Sequence, residues 1–561
     1  MSDAHVVLGA VAVAVAAWLG AALPTPVVAA AVVMAVLRRR PLTVLVALVA
    51  VAGLRSGDAR SALESPLPAR VAGTAQLVSD PRPGDHGSTV ELRVSGRRYQ
   101  AQVDRGDEWV LRPLLSGEHV EVVGRPRPFR GAPVGWQRSR HLAGRLVVTH
   151  IERGPPAAPW FALANAVHRR LAAGVGSFDE RARSLYLGLV VGDDRAQDDL
   201  ARFRFQATGL GHLLAVSGQN VAFVLLLVRP VASRVPLRVR WILGAGALVA
   251  FVLVTRAEAS VLRAAAMALV ALLAVTSGRV TSGARMLALA VGVLVLVDPL
   301  IVSGLGFQLS VAATVGLLVG VGPLVERVRG PRWFSEAVAT TVSAQLATAP
   351  LLMGLNGGVP SVATLTNVLA VPAAGAVMVL GLTAGVVAGF VVDPAAAVLT
   401  APARLLVGWI DGVAEVGSHS PLPLLGPLRL AALIVAAVLV ARRRGPTTSA
   451  VTRARAVAAV VLVAVALWPV RAPSSATRVA PGVLVGDTVC GRTVQLEGNP
   501  DVSDTLAALQ RAGVIHADVV VGVSARAVVP VATQLRADAA IGDDRGDRKS
   551  TRLNSSHANV S

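Results

Sequence analysis

Charge is scarce in this chain. Of its 561 residues only 16% are Asp, Glu, Lys or Arg, 53% are hydrophobic, and the mean hydropathy is +0.61. A soluble domain carries about a quarter charged residues, so this composition excludes a single water-soluble globule. Disorder is excluded as well, because it requires low hydrophobicity. Cysteine is nearly missing: the single Cys490 permits neither an intrachain disulfide nor a cysteine metal cluster. Lysine is reduced to Lys549, and no G-x-x-x-x-G-K-[ST] phosphate loop occurs, so the chain brings no such nucleotide site of its own.

What the chain does have is long apolar runs and arginine. Runs of this kind mark a polytopic α-helical membrane protein, here with about 10–13 membrane segments. The balance of 54 basic and 34 acidic residues leaves a formal charge of +20. Such an excess suits an anionic partner, either nucleic acid or the headgroups of the lipid bilayer.

Five regions follow from the pattern. Residues 1–54 are apolar apart from Arg38–Arg40, and Val6–Leu23 is long enough to span a bilayer. A cleaved signal peptide would want a basic start, whereas this chain opens Met1-Ser2-Asp3, so retained segments are expected. Residues 55–158 turn polar and alternate. In STVELRV, Val90, Leu92 and Val94 face one way and Thr89, Glu91 and Arg93 the other; YQAQVD, EHVEVVG and RLVVTHI read similarly. About five short strands suggest an inserted small β-barrel of the OB type. Residues 160–470 hold the main membrane core, with several Gly-rich or Pro-interrupted runs of the kind that form broken helices inside a bundle. Pro350 and Pro372 are expected to break helices.

Residues 471–547 return to an α/β pattern: VLVGDTV and ADVVVGV read as buried strands, DTLAALQRAGV as a helix. The final stretch 548–561, RKSTRLNSSHANVS, holds the only Lys and resembles translated sequencing-adapter read-through, which would leave the native C-terminus elsewhere. Placing Arg38–Arg40 and Arg442–Arg444 on the cytoplasmic side puts both soluble modules on the extracytoplasmic face.

Two sets of residues carry candidate chemistry. The first lies in apolar runs, where polar side chains usually face a bundle interior or a water path. GLGHLLAVSGQN, residues 209–220, contributes His212, Ser217, Gln219 and Asn220; AVSGQ is not a nucleophile elbow. Arg263, Gln308, Ser310, Gln345 and Asn367 complete the set. Each has a plain structural alternative: interhelical hydrogen bonds for the amides and hydroxyls, a pair with Glu258 for Arg263. The second set is GRPRPFRGAPVGWQRSRHLAGR, residues 124–145, with six Arg, no acid and two rings. Arg125, Arg127, Arg130, Arg138, Arg140 and Arg145 with Phe129 and Trp136 match the cationic groove and stacking rings that hold single strands. A basic loop meeting anionic lipid is the alternative.

The ordered set GLVVGDDR (188–195), GLGHLLAVSGQN, TRAEASVLRAAAM (255–267), DPLIVSGLGFQLSVAA (298–313), SAQLATAPLL (343–352) and LTNVLAVPAA (365–374) resembles the competence family of ComEC type. One departure is local: SGQN stands where many members carry a second His after Ser-Gly. The resemblance implies a channel for single-stranded DNA in natural transformation. It also implies partner competence proteins, a DNA receptor and a cytoplasmic ATPase, because the chain lacks its own nucleotide site. It further implies that 471–547 is a metallo-β-lactamase-like remnant. The metal loop of that fold would fall at VSARAVVP, which lacks H-x-H-x-D-H, so no metal, no cofactor and no catalytic residue are expected. A membrane-bound metal hydrolase and an unrelated small-molecule transporter are the rival classes.

Overall fold

The computed structural model describes residues 3–20, 28, 41–84, 87–129, 135–214, 218–257, 259–276, 282–441, 449–468, 470, 472–489 and 491–542. Arg38–Arg40, Arg130, Ser217, Glu258, Arg442–Arg444, Cys490 and the tail 548–561 lie outside the described residues. The chain divides into two compact units, one of residues 1–196, 215–320 and 375–405, the other of 197–214, 321–374 and 406–561.

The first unit opens with helices α1 (Asp3–Leu19) and α2 (Pro41–Glu64). The second runs on past the apolar stretch because its polar end is used: Ser56 Oγ donates to the Ala17 carbonyl, and the Arg60 guanidinium caps the carbonyls of Trp18 and Leu19 at the end of α1. Val13 and Ala17 of α1 and Ala52 of α2 share a core with Leu287, Val291 and Val295.

Six strands follow: β1 (Val71–Leu77), β2 (Arg82–Gly84), β3 (Gly87–Val94), β4 (Arg97–Asp104), β5 (His119–Arg127) and β6 (Leu142–Arg153). They run β1-β5-β6-β4-β3, and β3 returns to β1 with Ala75 opposite Val94, so five strands close a barrel. β2 extends the outside of β3. All pairings are antiparallel except β4 with β6. The alternation expected from sequence is seen in the filling: Val90, Leu92, Val94, Tyr99, Ala101, Val103, Val120, Val122 and Leu146 form the barrel core. Glu91, on the opposite side of β3, is also buried, because Arg140 covers it at 2.6 Å.

Helices α3 (Pro159–Gly174) and α4 (Glu180–Val191) lead out of the barrel, and α5 (Asp199–Ala207) opens the second unit. The apolar helices then follow: α6 (Gly218–Ala232), α7 (Leu237–Val254), α8 (Ala259–Thr276), α9 (Gly283–Val297), α10 (Leu305–Val325), α11 (Arg332–Asn356), α12 (Ala363–Leu380), α13 (Asp393–Ser418), α14 (Pro427–Ala441) and α15 (Ser449–Leu467). Among the described residues five helices are long and apolar enough to cross a membrane: α7, α10, α11, α12 with its continuation to Ala388, and α13. Six more helices carry shorter apolar stretches, of 17 residues at most among the described ones. At 1.5 Å per residue these reach about 25 Å or less, short of a hydrocarbon core about 30 Å thick.

The two prolines expected to break helices do not. Pro350 lies inside α11 and Pro372 inside α12. A proline in a membrane helix is tolerated where neighbours satisfy the freed backbone. Trp409 Nε1 donates to the Leu369 carbonyl at 2.9 Å, one of the groups beside the Pro372 gap.

The second unit ends in an α/β module. Strands β7 (Thr477–Ala480), β8 (Val483–Thr488) and β9 (Gly491–Leu496) are antiparallel, while β9, β10 (Val519–Gly522) and β11 (Ala539–Gly542) are parallel, in the order β11-β10-β9-β8-β7. Helices α16 (Val502–Arg511) and α17 (Ala525–Leu535) supply the connections, and Asp501 caps α16. The module does not close its own core. Phe203 and Ala207 of α5 are buried with Val485, Leu506, Leu509, Val520 and Val531. Arg204 reinforces the joint, with Nε on Gln534 Oε1 at 3.0 Å and Nη2 on Glu415 at 3.1 Å.

Candidate functional site

The signature GLGHLLAVSGQN is not one helix. Gly209 adopts a left-handed φ of +73° against Ala363, where a Cβ would have no room. A 3-10 turn spans Gly211–Leu213, and α6 is described from Gly218. His212 sits in that turn, exposed, with Nδ1 donating to the Gly209 carbonyl at 3.1 Å. Gln219 is exposed on the first turn of α6, and Asn220 Nδ2 lies 3.4 Å from the Leu189 carbonyl.

In the first unit Arg263 and Ser310 meet. Arg263 is only 7% exposed. Its Nε donates to Ser310 Oγ and its Nη1 to Thr314 Oγ1, both at 2.8 Å. These partners are hydroxyls of α10, while Glu258, the acid expected from sequence, lies outside the described residues. Gln308 is used locally, donating to the Val302 carbonyl at 2.8 Å.

The other polar candidates belong to the second unit. Gln345 Oε1 accepts from Thr364 Oγ1 at 3.1 Å, linking α11 to α12. Asn367 donates to the Ala363 carbonyl at 2.7 Å and lies beside Gly209. Thr366, one residue before it, donates to the Thr208 carbonyl at 2.7 Å. The turn ahead of His212 is therefore fastened to α12.

A further polar cluster in the first unit escaped sequence reasoning. Asp193 takes Arg195 in a bidentate pair at 2.7 and 2.8 Å and His168 Nε2 at 3.1 Å. Asp80, in the loop between β1 and β2, takes Arg256 Nε at 3.2 Å and the Ser116 backbone N–H at 2.6 Å. Arg256 Nη1 donates to Asn165 Oδ1 at 2.8 Å, and Asn165 to the Ser116 carbonyl at 3.2 Å. Burial alone would push the Asp193 carboxyl up. The hydrogen bonds and charge of Arg195, with the His168 ring beside the carboxylate, outweigh it and hold the carboxyl well below the usual carboxylate range. Ligand atoms of Asp80, His168 and Asp193 come within 4.8 Å of one another, a spacing open to a metal ion. Two guanidinium groups already match the two carboxylates, so the cluster is charge-compensated as it stands and works as a joint. Only its motifs were visible in the sequence, GDDR and TRAEAS; Asp80, Asn165 and His168 carried no local signal.

On the barrel, the Arg-rich segment forms the end of β5, the start of β6 and the connection between them. Arg127 and Arg145 are direct cross-strand partners, and Arg125 is two residues back on the same face of β5. All three are exposed. Phe129 packs edge-on to Trp136 at 6.5 Å, and the Arg145 guanidinium lies 5.9 Å from the Phe129 ring. Trp136 remains 41% exposed. Arg138 is half-buried, and Arg140 is committed to Glu91. The structure thus gathers Arg125, Arg127, Arg145, Phe129 and Trp136 and withdraws Arg140 from the set.

Comparison with known proteins bears on the core. Residues 189–444 match the family model described as competence protein. No curated protein and no solved structure matches the chain. The matched stretch takes in the signature turn, Arg263 with its hydroxyl partners, and the α11–α12 polar contacts. Over residues 189–444 the chain is thus similar to the competence protein family.

Proposed function

We propose that this protein conducts single-stranded DNA across the cytoplasmic membrane during natural transformation. The barrel belongs to this reading as an OB module on the extracytoplasmic side, together with the C-terminal α/β module. Its strand order fits that fold, in which the loop between the fourth and fifth barrel strands is one of those that bind oligonucleotides. Here that loop is the segment between β5 and β6. A DNA receptor outside and an ATPase inside would supply delivery and driving force. The C-terminal module, read as a metallo-β-lactamase-like remnant, would serve as structure.

One observation carries the proposal. Arg127 and Arg145 oppose each other across the β5–β6 ladder. Like charges directly opposite are destabilising in a sheet, and the described residues set no acid between them. A phosphate backbone would relieve that repulsion, and the exposed part of the Trp136 ring offers a surface for a base.

The test is fluorescence anisotropy of the full chain in zwitterionic nanodiscs with a labelled single strand, across a salt series. Single-strand binding loses about 0.7 in log–log slope per phosphate neutralised. Replacing Arg127 and Arg145 by Ala should flatten the slope by roughly 1.4. Trp136→Ala should weaken binding by about 1–3 kcal/mol and leave the slope alone, because a ring carries no charge. A slope indifferent to the arginines would remove the barrel from the DNA path. Binding that appears only with anionic lipid present would assign the patch to the membrane surface.

A further inference from the structure

Trp136 is seated directly on the membrane core. It belongs to the short helix Gly135–Ser139, which lies between β5 and β6. A Cβ on Gly135 would stand 2.6 Å from the Ser303 carbonyl oxygen, and one on Gly304 would stand 3.1 Å from Ser139 Cβ. Bare backbone at these two positions lets the helix come close to the 3-10 turn Pro299–Ser303, which leads into α10. A side-chain bond closes the contact: His141 Nε2 donates to Asp298 Oδ1 at 2.9 Å. The same carboxylate oxygen accepts the Leu300 backbone N–H at 3.1 Å, so Asp298 caps the turn and holds His141 at once. The turn is tied onward, since Gln308 of α10 donates to the Val302 carbonyl at 2.8 Å. On the barrel side, the His141 backbone N–H donates to the Arg138 carbonyl at 2.9 Å, and Ser139 Oγ to the Trp136 carbonyl at 3.0 Å. His141 itself has a left-handed φ of +57° where the chain turns from the short helix into β6. A residue with a side chain keeps that backbone state only where its surroundings hold it.

We propose that His141 and Asp298 are positioning residues for strand binding. By locking the short helix onto the turn, they fix the Trp136 ring at the head of α10, a helix long enough to cross the membrane. The proposal rests on the DNA reading, in which a base stacks on Trp136. A ring on a rigid mount keeps more of its stacking, because less motion is lost when the base docks. A base held there sits at the start of a membrane-crossing helix, so the strand is handed to the core instead of being held away from it.

The experiment is a double-mutant cycle on the full chain in zwitterionic nanodiscs, read by the anisotropy of a labelled single strand across a salt series. His141→Ala should weaken binding at least about fivefold, the low end of what one stacked base contributes. The same change in a Trp136→Ala background should cost less than about twofold, because a residue that acts through the ring has nothing left to act on. The salt slope should not move in either case, since no phosphate contact is removed. Asp298→Ala should follow the same pattern, and it carries the test should His141→Ala fail to fold. A disulfide supplies the rescue. Ser139→Cys with Gly304→Cys, in a Cys490→Ala background, needs only a small shift to reach the roughly 3.5–4.5 Å between Cβ atoms that a disulfide spans. Oxidation should restore the affinity of His141→Ala, and reduction should lose it again. Full additivity with Trp136→Ala, a loss that the formed disulfide does not repair, or an affinity indifferent to both residues overturns the positioning role. The two proposals fail separately. Trp136-dependent binding that ignores His141 sinks the positioning role and leaves the DNA reading. A parent that binds no strand, yet forms the disulfide faster than His141→Ala does, sinks the DNA reading and leaves the anchored helix.

Discussion

Asp193 shows how much one side chain can hold. It is 7% exposed and receives Arg195 through two nitrogens and His168 through a third. Removing one partner of a buried ion pair typically costs about 3–5 kcal/mol, because the other charge is left stranded. Asp193→Asn should therefore destabilise the chain by roughly 3 kcal/mol at pH 7. The pH dependence has a definite sign. The folded carboxyl titrates below its unfolded value, so its stabilisation is complete above the usual carboxylate range of about 4 and fades as pH falls further. The deficit of the variant should hold constant from pH 8 to about 5 and shrink below about 4. Denaturant titration of both proteins across that range measures it, and a deficit that does not change with pH would assign the loss to packing. Arg263 was legible from sequence as a lone cation in an apolar run, but its partners were not. Ser310 and Thr314 lie 47 and 51 residues away, and hydroxyls in apolar helices are too common to single out. Asp80, Asn165 and His168 were hidden for the same reason: each looks ordinary until the fold brings it to Arg256 and Asp193.

At the scale of an element, the stretch GLTAGVVAG places glycines at 381, 385 and 389, one helical stripe bare of side chains. The stripe receives the ends of α3 and α4. A Cβ on Gly381 would meet Val190, one on Gly385 the Tyr186 hydroxyl, and one on Gly389 the Arg170 carbonyl. Gly174 of α3 approaches the Gly385 carbonyl from the other side. Gly385→Ala should cost about 1–3 kcal/mol by overpacking. Gly408→Ala, on α13 with open space at its Cβ, should be neutral or gain up to about 1 kcal/mol from helix propensity. Thermal unfolding in detergent compares the two, and equal effects would contradict close packing along the stripe. Strands were read well from sequence because period-two alternation survives in a barrel with one buried face. Helix ends were read less well. Pro372 looks like a stop, yet the helix runs through it, and Trp409, 40 residues from the carbonyl it serves, donates to Leu369 beside the gap. Ser88 looks like an ordinary strand residue but is buried, with Oγ on Glu108.

For the molecule as a whole, the proposed sidedness has a direct test. Ser95, on an exposed turn of the barrel, and Ser503, on α16, make suitable reporters. Single cysteines at Ser95 and at Ser503, in a Cys490→Ala background, should both react with a membrane-impermeant thiol reagent in intact cells whose outer barrier is permeabilised. Reaction at only one of them would break the shared-side proposal. The arginine clusters behind this expectation are legible in sequence, since charge asymmetry survives without any knowledge of contacts. The true extent of the C-terminal module was not. Its missing wall is α5, placed before the signature, and nothing local in LARFRFQ announces a partner some 330 residues later.

That separation sets an order of assembly during synthesis. The barrel is one continuous stretch, from Val71 to Arg153, and among the described residues its core draws on none outside 67–151. It can reach its native state while the ribosome is still making the helices that follow. The second unit has no such freedom. Phe203 and Ala207 emerge early and must wait for Val485, Leu509, Val520 and Val531 before their apolar faces are covered. Until then α5 is an exposed sticky surface on a growing chain, and any transcript cut short before the last strands leaves it so. A barrel that matures first and a unit that closes last give nascent chains a long vulnerable interval, in which quality-control proteases would find α5 before its partners arrive.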